Sequence, residues 1–204
     1  MDIQLAIRNL LDMLDDRKED TSAIRKSMES MTDTNTFTQQ IFDEWKTDKT
    51  QIIFTLSKNF FNSYMKNYIK DPEIDLVDLY ERSHILIISS ETPSPSVLTS
   101  IQQKDKAMQT KSPTSHSILQ VFTLKELQYN PSKHILVPKH ELMADENEIK
   151  ELLVKYQVKS KNHLPHILKT DIMAKWLGLR IGDVIRITRY NENSGIYHYY
   201  RCCV

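Results

Sequence analysis

Only three glycines occur in 204 residues, Gly178, Gly182 and Gly195, and all lie close to the end of the chain. Glycine takes positive φ without steric cost, so glycines this scarce mark corners of the backbone. Asp171 is a natural N-cap for a short helix over Ile172–Leu177, and Gly178 stands where its C-terminal cap belongs. Gly182 marks the next corner. Val184, Ile185 and Ile187 then read as a strand, Asn191 to Gly195 as a turn, and Ile196 to Val204 as the returning strand. The stretch from 163 to 201 therefore predicts a small module built on a β-hairpin.

The length allows one large domain or two smaller ones. Charge is balanced overall at 27 basic against 27 acidic residues, but it is uneven. Residues 133–204 hold 12 Lys+Arg against 8 Asp+Glu, net +4, and residues 1–132 hold 15 against 19, net −4. Neither half has the basic excess of an autonomous nucleic-acid binder. No apolar run reaches the length of a membrane span, and Met1-Asp-Ile-Gln lacks the order of a signal peptide. Cys202 and Cys203 are adjacent and cannot staple a fold, which points to a reducing compartment.

Upstream, Ile3, Ile7, Leu10, Leu11 and Leu14 recur at helical spacing. Ile24, Met28 and Met31 suggest a second helix, and Phe37, Ile41, Phe42 and Trp45 a third. Residues 51–57, 85–88 and 118–122 read as strands, the last two as fully buried ones. Between them lie helical patterns over 60–69, from Asp71-Pro72-Glu73 to about Glu81, and from Ser96 to about Lys104; residues 102–117 read as a polar loop. This alternation predicts an α/β domain ending near Asn130-Pro131-Ser132. Beyond it, Asp145 and Glu148 have capping-box spacing for a helix presenting Ile149, Leu152, Leu153 and Tyr156 on one face.

The chemistry-bearing residues have structural readings beside functional ones. His163 and His166 are spaced for a metal, but Pro165 between them argues for an extended polar segment, and no third ligand follows. His134 and His140 flank an extended apolar run and suit strand-edge hydrogen bonding. Of the two cysteines, alternation along the last strand predicts that one is buried. Asp71, Glu73, Asp75 and Asp78 would suit a metal-dependent nuclease, yet the helix start accounts for the first two. Thr92-Pro93-Ser94 follows a strand, where loops of α/β domains carry function.

Together these residues resemble one family. His134-x-Leu136-Val137-Pro138-x-His140, then Leu164-Pro165, Asp171, Gly178-Leu179, Gly182-Asp183-Val184 and Gly195-x-Tyr197-x-x-Tyr200-Arg201 resemble the assembly domain of the small common subunit of nuclear RNA polymerases, which has an archaeal counterpart. The likeness runs from 133 to 201. More thinly, Leu10–Arg17, Ile85–Ser90 with Thr92-Pro93-Ser94, and Val121-Phe122 with Leu127 resemble the family's eukaryotic jaw domain. His166 stands where arginine is usual, and Ile172 where proline is common. The diverged N-terminal half is similar to copies encoded by large cytoplasmic DNA viruses.

The resemblance implies an α+β protein: a nuclease-like α/β jaw domain over 1–130 without catalysis, and an α+β assembly domain with a β-hairpin over 131–204. It implies a non-catalytic polymerase subunit without a cofactor or metal, bound to the largest subunit and other polymerase subunits and not to a membrane. Downstream duplex DNA, contacted weakly through Thr92, Pro93 and Ser94, and initiation factors are further expected partners. The largest-subunit interface is expected to involve His134, Pro138, His140, Pro165, Trp176, Gly178, Arg180, Gly182, Arg186, Arg189, Tyr197, Tyr200 and Arg201. Within it, Trp176, Tyr197 and Tyr199 are expected to be exposed anchors, and the arginines to fork onto partner carboxylates. A viral copy would act at cytoplasmic replication sites and in the virion, a cellular one in the nucleus. Two other classes stay open, a freestanding metal-dependent nuclease and a DNA-binding transcription regulator.

Overall fold

The computed structural model describes residues 2–29, 45–69, 84–111, 117–193 and 195–204. It divides into two compact units, Met1–Tyr129 and Asn130–Val204. The helix expected over Asp71–Glu81, with its four carboxylates, lies outside the described residues, as does most of the helix expected around Phe37. Trp45, the last residue of that expected helix, is described; it is not helical, and its indole is buried edge-on against Phe54 with centroids 5.7 Å apart.

In the first unit, strands β1 (Thr50–Thr55), β2 (His84–Ser89) and β3 (Ile118–Thr123) form a parallel sheet in that order. Every residue of β2 is buried, because both faces of the sheet are covered. Ile53, Ile85, Ile87, Leu119 and Val121 pack on one face with Phe61 and Tyr64 of helix α3 (Lys58–Tyr64) and Val97 and Ile101 of helix α4 (Pro95–Lys111). Helix α1 (Ile3–Asp16), capped by the Asp2 side chain on the Leu5 amide, buries Ile7, Leu10, Leu11 and Leu14. Asn9 donates to the Leu127 carbonyl at 2.7 Å, and Arg17 donates to Gln120 of β3 at 2.8 Å. Helix α2 (Ser22–Glu29) follows. Ahead of α2, the buried Glu19 carboxylate accepts hydroxyls from Thr47 at 2.6 Å and Thr50 at 2.8 Å.

Helix α4 corrects the expected loop from Gln102 onward. It continues to Lys111 although that segment is polar, because buried Asp105 accepts the Leu119 amide of β3 at 2.9 Å and ties the helix to the sheet.

The second unit holds a four-stranded sheet in the order β4-β6-β7-β5. β6 (Val184–Asn191) and β7 (Gly195–Cys203) are the predicted hairpin; β4 (Lys139–Leu142) runs antiparallel to β6, and β5 (His166–Ile167) parallel to β7. Helix α5 (Glu146–Lys155) covers one face of the sheet root, where Met143, Ile149, Leu152, Leu164, Val184 and Cys202 form a core. Ile185, Ile187 and Cys203 have the opposite parity and are buried on the other face. Helix α6 (Ile172–Leu177) packs beside β4 and contributes buried Met173, Ala174, Trp176 and Leu177.

Both cysteines are therefore buried, against the expectation of one. Alternation does send them to opposite faces, but at this end of the strand each face is covered by its own helix. Asp171 and Gly178 cap α6 as predicted, with Gly178 at φ 68°. Asp145 caps α5 by accepting the Asn147 amide at 2.8 Å, while Glu148 reaches Arg186.

Candidate docking surface

The corner before the hairpin is a β-turn over Arg180–Asp183, closed by the Asp183 amide on the Arg180 carbonyl at 3.1 Å. Its third residue, Gly182, has φ +93°, the sign that a type II turn needs there. The Asp183 carboxylate accepts the Arg180 amide at 2.7 Å, and Gly182 donates to the Cys203 carbonyl at 2.9 Å. The corner thus fastens the root of the hairpin to its own return strand.

Past the root, strand parity separates the expected interface residues. His140, Arg189, Tyr197 and Arg201 share the face of Ile187, together with Tyr199. The Tyr199 ring is flanked by two guanidinium groups, Arg189 at 5.5 Å and Arg201 at 5.4 Å from its centroid. Each such contact contributes about 0.5–1 kcal/mol near the surface. Arg201 also donates to the His166 carbonyl at 2.7 Å. His140 donates through Nδ1 to the Pro138 carbonyl at 2.6 Å; burial holds its imidazole below the usual value, opposed by that bond and by Asp171, with Arg189 and Arg201 adding a smaller downward push.

Arg186 and Tyr200 lie on the opposite face. Arg186 forks between Glu148 at 3.2 Å and Glu141 at 3.4 Å, and the Tyr200 ring rests 5.8 Å from that of Tyr156. The Glu141 carboxyl is held below the ordinary carboxylate range, first by its bond from Lys139 and then by Arg186. These pairs are partly solvated and contribute at most about 1 kcal/mol each. Arg186 thus already has carboxylate partners within the chain.

Two expectations are corrected here. Trp176 is 2% exposed, a core residue of α6 and not an exposed anchor, because its helix turns that side toward the sheet. Nor is His134 part of an extended run. The Val137 amide bonds to the His134 carbonyl at 2.9 Å, so His134–Val137 is a turn with Ile135 and Leu136 at its centre. Gly178 is buried, and the exposed Pro165 offers its carbonyl to the Cys202 amide. His163 and His166 are engaged by Ser160 at 2.7 Å and by the Asn162 carbonyl at 2.9 Å. In the first unit, Thr92 and Ser94 are exposed on the loop leaving β2, and Pro93 is turned inward.

What the sequence did not reveal is a set of bare apolar side chains. Ile135 is 94% exposed and Leu136 81%, and Leu168, Ile172, Ile181 and Ile196 all exceed half exposure. In the larger unit, the exposed bulky apolar residues among those described are Leu5, Leu98 and Tyr129. Exposed apolar area concentrated on the smaller unit is the mark of a protein-binding surface. Two adjacent aliphatics just ahead of Val137-Pro138 were a signal for it, masked by reading the segment as an extended run.

The family comparison falls almost wholly on this unit. The family model "RNA polymerase Rpb5, C-terminal domain" matches residues 129–203. The DNA-directed RNA polymerase subunit Rpo5 of Pyrococcus horikoshii is 42% identical over 77 residues, 38% of this chain and 92% of the relative. The rpabc1 subunit of DNA-directed RNA polymerases I, II and III from Dictyostelium discoideum is 42% identical over 86 residues, covering 42% of this chain and 43% of its own length. Its Caenorhabditis briggsae counterpart is 41% identical over 87 residues, or 43% and 40% of the two chains.

Proposed function

The chain belongs to the RNA polymerase Rpb5 family, and from that membership we infer a non-catalytic subunit of a multisubunit DNA-directed RNA polymerase whose second unit docks on the largest subunit. The homologues are polymerase subunits, which disfavours both a freestanding nuclease and a freestanding regulator. One observation carries the docking reading: the unit that matches the family is also the unit with Ile135, Leu136, Ile181 and Ile196 uncovered. Exposed aliphatics on a unit that also presents arginines and tyrosines have the composition of a protein interface.

The first unit then serves as a jaw beside the downstream duplex, with a nuclease-like fold and no chemistry. Support comes from its parallel sheet and from the exposed hydroxyls of Thr92 and Ser94 beyond the C-terminal end of β2, placed for light phosphate contact. Initiation factors are further partners on this reading. The matched share of the chain is confined to about two fifths, and this divergence supports a viral copy of the kind found in African swine fever virus. Such a copy works at cytoplasmic replication sites and enters the virion; a cellular one works in the nucleus.

The test is recovery of tagged full-length chain from cells that make the polymerase, with its partners identified by mass spectrometry. Wild type is expected to bring down the largest subunit, and the double variant Ile135→Glu/Ile181→Glu to recover less by about ten-fold or more. Wild-type chain found only free of RNA-synthesising activity refutes the docking reading.

A further inference from the structure

Strand β7 spans nine residues, yet its outer neighbour β5 pairs only with Cys202 and Cys203. The rest of that edge is open. The Cys202 amide points outward to the Pro165 carbonyl at 2.9 Å, and the Cys203 amide inward to the Asp183 carbonyl at 2.8 Å. In an antiparallel pair each residue's N–H and C=O point the same way, and direction alternates along the strand. Ile196, His198 and Tyr200 therefore aim both backbone groups outward, and among the described residues none of these groups is bonded. The outer edge of β4, by contrast, is four residues long and carries the Lys139–Glu141 ion pair at 2.8 Å, a short charged edge that discourages pairing.

The side chains along the open edge choose its occupant. Arg189 and Arg201 bracket Tyr199 on one face, and among the described residues neither forms an ion pair. An extended segment bearing a carboxylate would meet Arg201 of β7 at one end of the open stretch, while Arg189 lies on the same face one strand inward, on β6.

We propose that residues 196–200 of β7 accept an extended acidic segment of another polymerase subunit as an added strand. This rests on the docking reading and names the element through which docking occurs. Main-chain bonds would supply affinity, and Arg189 and Arg201 would select the segment.

Two full-length variants test it. His198→Pro removes one outward N–H and leaves the bonds between β6 and β7 intact; His198→Ala keeps that N–H. Both lose the contact of His198 with Thr188 at 3.3 Å, so their difference reports the edge alone. Proline is tolerated on an edge facing solvent, so both are expected to keep the wild-type circular dichroism. His198→Ala should enter the polymerase like wild type, and His198→Pro at a level lower by about ten-fold or more. Hydrogen exchange on the wild-type chain is the second measurement: the amides of Ile196, His198 and Tyr200 should slow by about a hundred-fold on incorporation. It decides alone if His198→Pro does not fold.

Equal incorporation of the two variants, or unchanged exchange at those amides, overturns the added strand while leaving docking in place. Wild-type chain that never enters the polymerase overturns both. A dimer of the isolated chain that His198→Pro abolishes also overturns the proposal, by assigning the edge to a second copy.

Discussion

Replacing Gly182 isolates the worth of one backbone corner. A Cβ built on Gly182 meets nothing within 4 Å, so Gly182→Ala creates no clash with neighbouring residues. What remains is conformational. At φ +93° an L-residue lies beyond the left-handed minimum near +57°, which itself costs about 1–2 kcal/mol. Alanine recovers about 0.4–1 kcal/mol by restricting the unfolded chain, so its net cost is about 1 kcal/mol. Valine, β-branched and stiffer at this φ, should cost about 2–3 kcal/mol. The readout is urea unfolding of full-length chain followed by Trp176 fluorescence in a Trp45→Phe background, so that the buried indole of α6 reports the second unit. With a slope of about 1 kcal/mol/M, the valine midpoint should fall by about 2–3 M and the alanine midpoint by about 1 M. Midpoints that coincide with wild type for both variants refute a required positive φ. A loss well above about 3 kcal/mol already in alanine refutes the absence of a steric term.

His140 should make the second unit sensitive to acid. Its folded-state pKa is lowered from 6.5, so the unfolded chain protonates first and stability falls as pH drops from 6.5 through the folded value. Urea midpoints at pH 7.5 and about 5.5 should differ less in His140→Gln than in wild type; an equal difference refutes the assignment. Burial pushes the Cys203 thiol up to about 11 and raises Cys202 as well. The native chain should show no rapid thiol reaction with a disulfide reagent at pH 8, and two equivalents once denatured; a fast equivalent in the native state contradicts the packing.

Where local chemistry decides, the sequence was readable. Ile85–Ile88 is apolar without interruption because both faces of its sheet are covered, and Asp171 and Gly178 cap their helix through groups within a turn of it. Sequence reasoning failed where a distant group decides. The helix past Lys104 depends on Asp105 meeting an amide of β3, and Trp176 and both cysteines are buried by elements from separate segments. The expected interface scattered for a related reason: Arg186 and Arg189 are three apart, an odd number, so one strand sends them to opposite faces. A family resemblance names the residues of a module without saying which of them share a side.

The hairpin root is a party wall. Val184 and Cys202 close one core, Ile185 and Cys203 the other, and the two are separated by the thickness of a single pair of strands. Leu152 packs with Val184 and Cys202 on one side, while Ile185 and Cys203, their neighbours along the same two strands, are buried on the other. Loosening either room shifts the partition, so damage on opposite sides should not simply add, and the module has no half that can come apart while the other stays whole.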